Sequence, residues 1–169
     1  MTISMYSASI PLFKQMLNAM SHVLEKAEAH VLEKAIEPNA LLHARLFPDM
    51  YPLVRQVQIA TDFAKSVSAR LASIDVPFHE DNEQTFADLC ARIDKTMTFI
   101  DSLSAAQIDG SETLDIVLRP GTPKEKKLTG QTYLLSYGLP QFFFHVTTVY
   151  AILRHNGVDI GKRNFMGAY

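Results

Sequence analysis

The residues of this sequence that could do chemistry are concentrated near its end, in the stretch 139–169. Gln141 and His145 are four residues apart, so on a helix their side chains meet on one face and could approach one ligand or metal ion. His155 lies ten residues beyond His145, about 15 Å along a helix axis, and cannot share a metal with it. Tyr150 lies between the two histidines, where it could orient a bound ligand.

The element that must position these residues is a helix from Pro140 to about Gly157. Proline suits a first helical turn, and glycine suits the left-handed residue that ends a helix. Most faces of this helix are apolar, which indicates a buried helix with one polar stripe. The alternative is that His145 is a hydrogen-bonded core histidine and that His155 is a C-terminal cap.

A second helix, predicted to open at Pro48-Asp49, supplies the other inward polar residue. Gln56 lies at the edge of its apolar face, where it either makes an interfacial hydrogen bond or points into the protein. The opposite face is predicted to be solvated and comprises Arg55, Gln58, Asp62, Lys65 and Arg70. Gln56, Gln141 and His145 are therefore the one inward polar constellation, and no phosphate loop, nucleophile elbow or H-E-x-x-H motif accompanies them.

Composition limits the function classes. The chain is 47% hydrophobic and 20% charged with a net charge of -2, which is typical of a soluble protein and leaves no basic footprint for nucleic acid. Its single cysteine, Cys90, excludes an internal disulfide, and its spacing predicts a place on a core face. No apolar run is long enough to cross a bilayer, so we expect a cytoplasmic protein without a membrane partner.

The other segments predict an all-α fold with one exception. The first helix is predicted over 5–35, with Met16, Met20 and Val23 on a face that could also serve as a dimer interface. A capping box at 81–84 is predicted to open the third helix. Residues 114–128 read as a short β-hairpin, 131–138 begin the fourth helix, and 158–169 form a loop or short turn. We predict one domain over 1–169, an antiparallel four-helix bundle with a hairpin between helices three and four.

Three segments resemble a known family. LPQFFFHVTTVYAILRHNGVDIGKRNFMG, FPDMYPLVRQVQIATDFAK and NEQTFADLCARIDKT are similar to a bacterial family of unknown function within the DinB-like superfamily of predicted metalloenzymes. The resemblance covers essentially the whole chain. It implies an antiparallel four-helix bundle and a homodimer, and some superfamily members are metal-dependent thiol transferases or isomerases.

The resemblance also implies where a metal would lie. Superfamily enzymes hold a divalent metal with one histidine from helix two and an H-x-x-x-H pair from the last bundle helix. These positions fall at Gln56, Gln141 and His145, so only one of three is histidine here. A glutamine carbonyl is a weak neutral ligand for zinc or nickel. The chain also has Gln141 and Asn164 where asparagine and aspartate are expected.

The sequence thus predicts a homodimeric DinB-like protein with a degenerate metal site and a small-molecule pocket between helices. The predicted pocket residues are Gln56, Gln141, His145, Tyr150 and His155. No cofactor is expected unless a divalent Zn, Ni or Mn ion binds at Gln56, Gln141 and His145. The alternatives are a metal-dependent thiol transferase or isomerase acting on a small electrophile, and a protein whose function is its interaction surface. Whether the chain is an enzyme stays open.

Overall fold

A computed structural model describes residues 3–169 and is mostly helical. Its elements in chain order are α1 Ile10–Glu33, α2 Pro38–Leu42, α3 Leu53–Leu71, α4 Phe86–Asp101, α5 Ala105–Ile108, a 3-10 turn Ser111–Thr113, β1 Asp115–Leu118, β2 Lys126–Thr129, α6 Gly130–Thr132, a π-helical turn Tyr133–Gly138, α7 Leu139–His155 and α8 Lys162–Met166. The predicted helical class and the hairpin are confirmed. Short helices between the long ones make the architecture richer than four helices and a hairpin.

The hairpin pairs β1 and β2 as antiparallel strands, with Ile116 opposite Leu128. Ile116 and Leu118 are buried, whereas the second strand is largely exposed. A two-stranded hairpin is marginal by itself, so burial of β1 against the helices stabilises it.

The core lies where α3 packs on α7 and where α1 packs on α4. Phe13 of α1 meets Phe142 of α7 edge to face, with ring centroids 4.9 Å apart. Within the described residues, no helix is both long and apolar enough to cross a membrane. Cys90 is only half-buried at the edge of the core, and burial raises the pKa of its thiol.

The predicted use of α1 as a dimer face is wrong. Met16, Met20 and Val23 are each at most 3% exposed within a single chain. The reason is that α4, α7 and α8 all pack on α1 and cover its apolar side. These three side chains are therefore not available to a second copy, whereas Leu32 near the end of the helix is 74% exposed.

Three predicted helix starts shift, and the first is that of α1, which begins at Ile10 rather than at residue 5. The second long helix begins at Leu53, after Pro52, rather than at Pro48. At the start of α4 the capping box is formed by Thr85 and Asp88, not by residues 81–84. Thr85 Oγ1 accepts from the Asp88 amide at 3.0 Å, and the Asp88 carboxylate accepts from the Thr85 amide at 2.9 Å.

The predicted solvated side of α3 is partly buried, which corrects the prediction for Gln58 and Lys65. They are 5% and 4% exposed. Residues 74–85 pass over this side of the helix, and the Glu83 carboxylate accepts from Gln58 Nε2 at 2.7 Å. Lys65 Nζ pairs with the Asp62 carboxylate at 3.0 Å.

Arg92 of α4 holds this arrangement together. Its side chain is 2% exposed. The guanidinium donates to the Asp62 carboxylate at 2.9 Å, to the Glu83 carboxylate at 2.8 Å and to the Thr61 hydroxyl at 2.7 Å. It also pairs with Asp81 at 3.0 Å. One buried cation therefore joins α3, α4 and the segment between them.

We predict that Arg92→Met lowers the free energy of unfolding by about 3 kcal/mol, because removing one partner of a buried ion pair leaves carboxylates without a counterion. Urea unfolding at pH 7 measures the change. The control is Lys127→Met, which removes an exposed ion pair with Glu125 and should cost less than about 0.5 kcal/mol. A loss for Arg92→Met no larger than the control's would contradict the role assigned to the cation.

Candidate functional site

The candidate site begins with a contact between α3 and α7. The side-chain oxygen of Gln56 lies 2.7 Å from Nδ1 of His145. The amide nitrogen of Gln56 donates to the backbone carbonyl of Tyr51 at 3.0 Å. Because that nitrogen faces a carbonyl, the amide oxygen must face the imidazole. Nδ1 of His145 therefore carries a proton and donates it to Gln56.

This hydrogen bond fixes the tautomer of the neutral imidazole. With the proton on Nδ1, Nε2 of His145 has a free lone pair. Nε2 makes no hydrogen bond to a described residue. It retains some contact with solvent, unlike the fully buried atoms that lack a hydrogen-bond partner. His145 as a whole is 7% exposed. The arrangement thus presents one oriented acceptor or base at a nearly buried position.

Aromatic side chains surround the imidazole. The Phe63 ring stacks on it with a centroid distance of 6.0 Å, and the Phe144 ring meets it edge to face at 5.2 Å. Phe63 also contacts Tyr137 from the π-helical turn, with ring centroids 5.9 Å apart. Burial, and secondarily the charge of Arg55, lowers the pKa of His145 to about 4. The ring is therefore neutral at physiological pH.

The π-helical turn is positioned by Gly138. A Cβ atom at this residue would lie 2.6 Å from a methyl carbon of Val67 on α3, so only glycine allows the close approach. Single π turns within helices often occur at functional sites. Here the turn brings Tyr137 to the aromatic group beside His145.

Gln141 lies one helical turn before His145 and is half-buried. It lines a shallow depression of about 260 Å³ together with Ser136, Tyr137, Pro140 and Phe144. Its amide makes no hydrogen bond to a described residue, and the structure does not join it to Gln56. Gln141 therefore belongs to the surface next to the Gln56–His145 pair.

The other two predicted pocket residues lie elsewhere. Tyr150 packs edge to face on Phe165 near α8, with ring centroids 5.7 Å apart. His155 is exposed in the last turn of α7, where a basic side chain complements the helix dipole. The structure brings Gln56 and His145 together but leaves Tyr150 and His155 apart from them.

Sequence reasoning missed Phe63 and His79. Phe63 lies seven residues after Gln56, a spacing that places both on one helix face and could have revealed it. His79 carried no such signal, because it lies in the segment between α3 and α4. Its Nδ1 is buried without a hydrogen-bond partner among residues 3–169. Burial, followed by the charges of Lys65 and Lys95, lowers the pKa of His79 to about 4.

Across the described part of the chain, no three histidine, cysteine, aspartate or glutamate side chains group so that they could hold a metal ion. The helical fold with its hairpin places the molecule in the class of DinB-like proteins. It is similar to a crystal structure of a DinB family member protein from Shewanella denitrificans, with 38% identity and a TM-score of 0.91. That match covers 97% of this chain and 92% of the other.

The chain belongs to the family described as Domain of unknown function (DUF1993), which matches residues 5–166. The family resemblance predicted from the sequence is therefore confirmed. No curated protein matches the chain.

The lowered pKa of His145 predicts a pH dependence of stability. Between about pH 4 and 6.5 the unfolded histidine binds a proton that the folded one does not, so the free energy of unfolding rises with pH in this window. The free energy of unfolding should therefore be higher at pH 7 than at pH 5, and we expect His145→Gln to reduce this difference by about 1 kcal/mol. This figure allows for screening of the imidazole by solvent. Urea unfolding at the two pH values measures it.

The matched control for this measurement is Gln141→Ala, because it changes a half-buried side chain on the same helix face and removes no titratable group. It should leave the pH dependence unchanged. His79 has the same direction of shift, so part of the dependence should persist in His145→Gln. An unchanged slope in His145→Gln would show that the imidazole is not held neutral by its surroundings.

Proposed function

We propose that this chain is a DinB-like small-molecule-binding protein that has lost the superfamily's metal site. Its oriented, neutral His145 gives a ligand one hydrogen-bond acceptor at Nε2. The observation that carries the proposal is the 2.7 Å contact between Gln56 and Nδ1 of His145. Without that contact the imidazole would have no fixed tautomer and no defined acceptor.

The donor set does not fit a divalent metal. The Gln56 oxygen already accepts the Nδ1 proton, so it supports the imidazole instead of ligating beside it. Gln141 faces the neighbouring depression and could offer only an amide oxygen. His145 Nε2 is then a single strong ligand, whereas catalytic zinc sites use three protein ligands. A metal-dependent transferase reaction finds no adequate ligand set in these side chains.

We also propose the finer features predicted for the molecule. The four long helices form an antiparallel bundle, and the protein acts as a cytoplasmic homodimer. Support for the dimer comes from the family resemblance and from two exposed aromatic side chains between α2 and α3, Phe47 at 63% and Tyr51 at 57%. Two such rings within five residues form an apolar surface that a second copy could cover.

The metal proposal predicts an empty site. In protein purified without a histidine tag, elemental analysis should find far less than one Zn, Ni or Mn per chain. Imidazole ¹⁵N spectra at pH 7 should show His145 protonated at Nδ1 and unchanged by one equivalent of Zn²⁺. Gln141→His, which places a second imidazole four residues before His145, should tighten Zn²⁺ binding by about tenfold or more, since a nitrogen ligand replaces an amide oxygen.

The control for metal binding is His155→Ala, which removes an exposed histidine outside the contact with Gln56. Metal near one equivalent in the wild type that disappears in His145→Ala but not in His155→Ala would overturn the proposal. The same result would favour the metal-dependent transferase.

The dimer proposal predicts a dimer mass by sedimentation at low micromolar concentration. Phe47→Ser should shift the protein towards monomer because it removes an aromatic ring from the proposed interface. Phe78→Ser is the control, since Phe78 is 84% exposed but lies in the segment between α3 and α4. A monomeric wild type, or equal effects of the two variants, would contradict the proposed interface.

A further inference from the structure

The depression beside Gln141 is walled by aromatic rings. Tyr137 comes from the π-helical turn and Phe144 from α7, and Pro140 completes the apolar lining. Phe144 is 56% exposed, so much of its ring is available to a bound molecule. Aromatic walls favour a planar, apolar group, because ring pairs gain free energy in stacked or edge-to-face contacts beyond area burial alone.

The polar groups of the depression are all uncharged. Gln141 offers an amide with both a donor and an acceptor, and Ser136 offers a hydroxyl. No charged side chain lines it. The cation that influences His145, Arg55, is already paired with the Asp81 carboxylate. Lys126 Nζ lies 5.9 Å from the centroid of the Tyr137 ring, but no cation is among the lining residues. A charged ligand would therefore lose hydration without a counter-ion inside the depression.

The depression borders the imidazole. The Phe144 ring, which forms one wall, lies 5.2 Å from the ring of His145. Gln141, another lining residue, lies four positions before His145 and so on the same helix face. Tyr137 reaches the imidazole through Phe63, which contacts both rings. His145 itself is not part of the lining, and the Phe144 ring is the side chain that joins the depression to the imidazole.

We infer that this site takes an uncharged aromatic molecule carrying an O–H or N–H donor. Its ring lies between Tyr137 and Phe144, and its donor is directed to Nε2 of His145. This inference rests on the proposed function and adds the chemical class of the ligand. Gln141 hydrogen-bonds a second polar group of the molecule where one is present.

Phenol is the simplest probe of this class, and anisole is its matched analogue without the donor. Titrated at pH 7 into isotope-labelled protein, phenol should shift the His145 Nε2 signal and the ring signals of Tyr137 and Phe144. Anisole should bind about five- to tenfold more weakly, which corresponds to the loss of one hydrogen bond. Benzoate, which has the ring but a negative charge, should leave these signals unchanged.

Two variants test whether phenol binds to the lining of the depression or to the neighbouring surface. Phe144→Ala should weaken phenol binding at least fivefold. Leu135→Ala should not, because Leu135 is 48% exposed and lies on the same π-helical turn but outside the lining. Equal binding of phenol and anisole, binding of benzoate at the same site, or an unaffected Phe144→Ala would each overturn the inference.

The imidazole ¹⁵N spectrum of the free protein distinguishes failure of the inferred ligand class from failure of the proposed function. If His145 is protonated at Nδ1 and phenol produces no shift at saturating concentration, the ligand class is wrong while the oriented acceptor stands. If free His145 is protonated at Nε2, the acceptor itself is absent and both proposals fail.

Discussion

The buried charge of Arg92 is the constraint on which the rest of the structure depends. A guanidinium removed from water is costly unless carboxylates and hydrogen bonds compensate it. Asp62 on α3 and Glu83 in the following segment supply that compensation, at 2.9 and 2.8 Å. As a result α4 is fixed against α3, and residues 74–85 lie over a face that the sequence pattern alone would leave in solvent. The helix α3 also packs extensively on α7.

The site follows from that packing. Gln56 and Phe63 are seven residues apart on α3, and both meet His145 of α7. A buried glutamine is suited to this position because its amide satisfies a donor and an acceptor at once. The amide nitrogen of Gln56 donates to the Tyr51 carbonyl, so its amide oxygen is left to accept from the imidazole. The backbone conformation before α3 therefore determines which nitrogen of His145 carries the proton.

Much of the fold could be predicted from the sequence, and the reasons for the failures are physical. Helical periodicity and the Pro140 and Gly157 signals located α7, and the strand-like run located the hairpin. Capping failed at 81–84 because Asp81 and Glu83 pair with Arg92, which leaves Thr85 and Asp88 to cap α4. Periodicity describes one helix at a time. It cannot show that a connecting segment will cover a polar face.

The candidate site was predictable to the same degree. The spacing of Gln141 and His145 places them on one helix face, and Gln56, predicted at the edge of an apolar face, is 1% exposed. What no spacing could supply was the pairing itself. In the structure Gln56 bonds His145 while Gln141 lines the adjacent surface, although the resemblance treats all three positions as equivalent ligands.

The resemblance implies imidazoles at three positions, and of these three this chain has one, His145. In metal centres a ligating histidine usually donates its second nitrogen to a carbonyl or carboxylate oxygen, which fixes the ring. Gln56 makes a contact of the same kind with Nδ1 of His145 and so fixes the orientation of the ring. An unprotonated Nε2, which could ligate a metal, can also accept a hydrogen bond from an O–H or N–H group of a ligand. Burial, and secondarily the charge of Arg55, lowers the pKa of His145 and keeps the ring uncharged. A neutral donor is the partner that such a nitrogen can bind without an uncompensated charge.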